Sequence, residues 1–77
     1  MANVVKTDRQ VVDGLGWVDF RVFDNGDVEV THYKGIAVYF KPTHTADGRP
    51  MPRSHWMLKK NVLYAPTQPL QAALDNL

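Results

Sequence analysis

Between Trp17 and Pro42 the chain runs through three apolar-rich segments, Val18-Asp19-Phe20-Arg21-Val22-Phe23, Val28-Glu29-Val30 and Ile36-Ala37-Val38-Tyr39-Phe40, separated at Gly26 and Gly35. Alternation with a period of two, bounded by glycine turns, predicts a meander of three antiparallel strands. A two-residue turn at Asn25-Gly26 would set Val22 against Glu29 and Arg21 against Val30, mixing apolar with charged residues. A three-residue loop, Asp24-Asn25-Gly26, with Gly26 left-handed, instead pairs Val22 with Val28, Phe20 with Val30 and Val18 with His32. Burial of one face selects this second register. Arg21 then meets Glu29 and Asp19 meets Thr31 on the wet side.

Applied again at Tyr33-Lys34-Gly35, the same loop pairs His32 with Ile36, Val30 with Val38 and Val28 with Phe40, while Asp27 meets Lys41. The predicted core face therefore bears Val18, Phe20, Val22, Val28, Val30, Val38 and Phe40. Trp17, Phe23 and Tyr39 fall on the opposite face.

The flanking segments follow from weaker patterns. Val4 to Val12 has strand-forming residues, and its irregular alternation predicts an edge strand whose register Asp13-Gly14 and Gly16 leave open; Lys6, Asp8 and Arg9 would discourage pairing with another molecule. Residues 42–53 carry three prolines and an Asp47-Gly48 turn signal, which predicts a long loop with little regular structure. In 54–64, Trp56, Val62 and Tyr64 favour a strand with a turn at Lys59-Lys60-Asn61, although Ser54 could instead cap a short helix. A helix over 67–77 is predicted from Thr67 as N-cap, Pro69 in the first turn and the spacing of Leu70, Ala73, Leu74 and Leu77. A helix so short needs to pack on the sheet. The expectation is one α+β domain over 1–77: an antiparallel sheet of four or five strands, its central meander over 17–41, with one C-terminal helix.

Composition narrows the functional classes. At 77 residues the core is small, and without cysteine neither disulfides nor thiolate metal sites can add stability. No apolar run approaches a membrane span, and the N-terminus lacks the apolar stretch of a secretory signal, so a cytoplasmic protein is expected. Net charge is +1, but residues 1–40 hold six acidic and four basic side chains, whereas residues 41–77 hold five basic and two acidic. That asymmetry hints at a charged partner for one end.

Candidate chemistry is sparse. His32, His44 and His55 are scattered and lack companions for a zinc site, and Asp13, Asp24, Asp27 and Asp47 flank turns, where aspartate bonds the local backbone. No nucleophile stands in a recognisable motif, and Asp13-Gly14-Leu15-Gly16 lacks phosphate-loop spacing. A non-enzymatic protein without metal or cofactor is expected.

One segment could carry binding: Arg49, Arg53, Lys59 and Lys60 surround His55 and Trp56, cations for phosphates beside a ring that could stack on a base of DNA or RNA. Its plainer reading is a solvated loop with Trp56 turned inward. Trp17, Phe23 and Tyr39 form a second candidate surface, suited to a larger protein or nucleoprotein complex or to a homodimer. These residues match no family motif. Small size, no cysteine and no catalytic signature suit a phage or mobile-element accessory protein that blocks a host complex, of the anti-CRISPR kind; nucleic-acid binding through 49–60 is the alternative expectation.

Overall fold

The computed structural model describes residues 2–52, 55–61 and 68–77. Its elements are β1 (Val4–Val12), β2 (Gly16–Phe23), β3 (Val28–His32), β4 (Gly35–Phe40), β5 (Met57–Asn61) and α1 (Gln68–Asp75). The five strands form one antiparallel sheet in sequence order, with β1 and β5 at its edges. Each strand pairs with its neighbour in the chain; short turns join the first four, and residues 41–56 link β4 to β5.

The first hairpin has the predicted register: Val22 opposes Val28, Arg21 Glu29, Phe20 Val30 and Asp19 Thr31. Gly26 adopts φ 90°, its N–H bonds the Phe23 carbonyl at 3.0 Å, and the Phe23 N–H bonds the Asp27 carbonyl at 2.8 Å. The Asn25 side chain closes the loop by accepting the Asp27 N–H at 3.0 Å. β1 is an edge strand, as expected, and its register runs from Val12 opposite Gly16 to Lys6 opposite Val22, with an irregularity at Val5.

The second hairpin departs from expectation by one residue. His32 opposes Gly35, Val30 opposes Ala37 and Val28 opposes Tyr39, so the loop has two residues, Tyr33 and Lys34. A side chain closes this turn: His32 Nδ1 accepts the Lys34 N–H at 3.1 Å, which a three-residue loop would not offer in the same way. Gly35, at φ 139°, still supplies a conformation that other residues rarely take. A one-residue slip reverses both faces of a strand. Ala37 and Tyr39 therefore enter the core in place of Val38 and Phe40, which share the other face with Ile36.

Leu70, Ala73 and Leu74 of α1 are buried, forming one core with Val12, Leu15, Val18, Phe20, Val28, Val30, Ala37 and Tyr39; Val22, Trp56, Leu58 and Leu77 pack at its margin. The helical spacing of these leucines thus does what the sequence predicted, whereas the Thr67 cap lies outside the described residues. One further expectation needs correction. Lys59-Lys60-Asn61 is strand rather than turn, paired to β4 with a register shift between Val38 and Tyr39. Residues 42–52 hold no strand or helix; a single bridge, His44 to Pro50, and the Thr45 N–H on the Arg49 carbonyl at 2.7 Å fold this loop back around Asp47-Gly48. Prolines are tolerated there because such an isolated bridge needs few N–H donors. No helix of the described residues is long and apolar enough to cross a membrane.

The His32 bond has a pH consequence. Burial first, and the nearby Lys34 charge second, push the His32 pKa below its ordinary value. The unfolded chain takes up a proton near pH 6.5 while the folded state resists it, so stability present above about pH 6.5 is lost as pH falls towards the lower, folded value. His32→Asn keeps an acceptor for Lys34 N–H and removes the titrating group. Thermal melting should fall between pH 7 and pH 5.5 more steeply in wild type than in this variant; equal slopes would contradict the assigned role of the ring.

Candidate functional site

With α1 packed on one side of the sheet, the opposite face has no second layer among the described helices and strands. Its rows follow from the register. Val11 stands opposite Trp17; Arg9, Asp19, Thr31 and Ile36 form the next row; Thr7, Arg21, Glu29 and Val38 the next; Phe23, Phe40 and Met57 lie towards the far end.

Two apolar zones result, with charge between them. Along β4 run Ile36, Val38 and Phe40, with Met57 beside Phe40; Ile36 is 43% and Met57 49% exposed. At the far corner Val11 and Trp17 are 66% and 68% exposed. Cross-strand ion pairs fill the middle: Arg9 Nε to Asp19 at 2.6 Å and Arg21 to Glu29 at 3.1 Å, while Lys59 Nζ of β5 reaches over β4 to Asp27 at 2.7 Å. The hydrogen bond from Arg9 holds the Asp19 carboxyl below the usual carboxylate range. Arg21 also lies over the Phe23 ring, 5.7 Å from its centroid. Paired across strands at the surface, these charges contribute direction rather than large stability.

The predicted aromatic trio is divided. Trp17 and Phe23 are on this open face, as expected. Tyr39 is not: the slipped register of β4 carries it into the core, where it is fully buried. Conversely, sequence reasoning put Ile36, Val38 and Phe40 on the core face, because their apolar character argued for the inside. The only available signal was His32 ahead of Tyr33-Lys34, a side chain able to cap a two-residue turn.

The basic segment is also divided. Trp56 is half-buried against the core; Gln71 of α1 accepts its backbone N–H at 2.9 Å and donates to its carbonyl at 2.6 Å, while its indole N–H donates to Asp75 at 2.8 Å. Lys41 Nζ lies 5.9 Å from the ring centroid. Arg49 sits at the tip of the 43–51 hairpin, 3.3 Å from Asp47, and Lys59 is engaged by Asp27 on the open face. Thr45 Oγ1 donates to Asp47, a bond that lowers the Asp47 pKa. His55 is exposed. Arg53 and the side chain of Lys60 lie outside the described residues.

A cavity of about 410 Å³ opens on the helix side, where Val22, Val28, Trp56, Leu74 and Leu77 meet Lys6 and Lys41. Its carboxylate, Asp75, is already engaged by Trp56 Nε1 and Lys41. His32 is in the core, and His44 Nδ1 lies 2.9 Å from Thr43 Oγ1. Among the described residues no three His, Asp or Glu side chains gather as metal ligands. The chain matches no protein-family model, no curated protein sequence and no solved structure.

Proposed function

We propose that this protein is a non-enzymatic binding module that occupies the surface of a larger protein assembly through the open face of its sheet. One observation carries the reading: a face without a covering layer among the described elements bears Trp17, Ile36 and Met57 exposed around a band of paired charges. Exposed apolar residues grouped on one face, rather than scattered, mark interaction surfaces. Tryptophan at such a surface is the usual anchor, filling a pocket on the partner while neighbouring contacts exclude water. Arg9–Asp19 and Arg21–Glu29 then set orientation rather than affinity. A small module of this kind acts by obstruction, which suits an inhibitor from a phage or mobile element directed at a host complex.

The nucleic-acid reading has less support. Arg49 and Lys59 each have an acidic neighbour, and Trp56 is tied to α1 by three hydrogen bonds, so among the described residues Lys59 and the ring lie on opposite sides of the sheet.

Affinity capture from the native cell, run in parallel with wild type and Trp17→Ala, tests the proposal. A protein partner should be retained by wild type and weakened at least about tenfold by Trp17→Ala, the cost of losing an anchor residue. Melting of the variant should stay close to wild type, because a side chain 68% exposed contributes little to the core. Equal retention of the partner by both proteins, or a salt-sensitive nucleic acid as the retained species, would refute the reading.

A further inference from the structure

The sheet's free edge carries a second, separate surface. β1 is outermost, and of its nine residues only Val12 is buried and Gln10 half-buried. An edge strand of this length offers a row of main-chain N–H and C=O groups to another strand, and natural edges are usually blunted by charge. Here Arg9 is taken up by Asp19 within the chain. Lys6 and Asp8 are different: among the described residues neither makes an ion pair, and Asp8 accepts only from Gln10 Nε2 at 3.0 Å. Both stand opposite core-side residues of β2, Lys6 against Val22 and Asp8 against Phe20. Their side chains therefore leave the sheet on the α1 side, one strand step apart from Thr7 in each direction.

Symmetry restricts what this strand can meet in a copy of itself. Residues directly opposite across an antiparallel pair share a face, and a two-fold axis normal to the sheet preserves faces. The axis must consequently pass beside a β1 residue that meets its own counterpart. Centred on Lys6, Asp8 or Arg9, it sets identical charges against each other, which is destabilising. Centred on Thr7, it sets Lys6 against Asp8 of the second copy and Asp8 against Lys6 of the second copy. Axes nearer the strand's ends overlap fewer residues. The charges that blunt the edge in neighbouring registers favour this one.

We infer that β1 pairs antiparallel with β1 of a second copy about a two-fold axis at Thr7, joining two sheets into one with both helices on the same side. The interface uses the edge alone, so it stands independently of the open face and leaves that face free for a partner.

Charge exchange tests the register. By sedimentation at high micromolar concentration the wild-type protein should be a dimer. Lys6→Asp and Asp8→Lys, each placing like charges opposite in both pairs, should each raise the dissociation constant at least about tenfold. Mixing the two variants restores complementarity, since the acidic pair of one chain meets the basic pair of the other, and should recover dimer as a heterodimer. The double variant Lys6→Asp/Asp8→Lys should recover it alone. All three variants carry substitutions only at exposed positions, and unchanged circular dichroism confirms that each chain remains folded. A monomeric wild type, single variants that dimerise as well as wild type, or a mixture that stays monomeric would overturn the inference.

Discussion

Tyr39→Ala is expected to lower stability by about 3–5 kcal/mol, the range for removing a buried aromatic side chain, while Phe40→Ala beside it costs about 1 kcal/mol. Tyr39 is fully buried and among the largest side chains in the core, whereas Phe40 is half-buried on the open face. A domain of 77 residues has a total stability of about 4–12 kcal/mol. Loss of Tyr39 therefore removes a large fraction of the total stability, and Phe40→Ala only a small one. Urea denaturation of the two variants makes the comparison. Phe40→Ala as the more damaging change would mean that β4 faces the other way and that the open face has been assembled from the wrong residues.

Leu70→Ala is the second large effect, expected at about 2–5 kcal/mol, with the upper part of the range applying if the sheet cannot close over the lost volume. Leu70 is fully buried where α1 meets the sheet. An eight-residue helix is too short to persist in water by itself, so loosening its contact also threatens the helix. Ala72, on the exposed side, provides the control: Ala72→Glu should change stability by no more than about 0.5 kcal/mol. Thermal melts that show equal losses for both would contradict the assigned helix face.

Much of this architecture was legible from local patterns. The first hairpin could be read because both candidate registers made definite pairings and only one kept Arg21 and Asp19 out of the core. The helix could be read because Leu70, Ala73, Leu74 and Leu77 recur on one side. β4 was misread because its two faces, Ile36-Val38-Phe40 and Ala37-Tyr39, are both apolar, so polarity could not choose between them. Turn chemistry decided instead, through the His32 ring on Lys34 N–H. The small Ala37 beside the large Tyr39 is a packing solution that depends on the facing elements, which periodicity does not encode. Trp56 was recognised as either ring platform or core margin; its partners Gln71 and Asp75 are 15 and 19 positions away, beyond any local pattern. The candidate surface inherited the β4 slip, gaining Ile36, Val38 and Phe40 and losing Tyr39.

The open face can be examined directly by oxidative footprinting of the protein alone and in complex with its captured partner. Trp17 and Met57 are its reactive side chains, and Trp56, on the helix side, is an internal reference. Docking through the open face predicts that oxidation of Trp17 and Met57 is suppressed in the complex while that of Trp56 is unchanged. Protection of Trp56 with Trp17 and Met57 still reactive would contradict it and move the binding surface to the opposite side of the molecule.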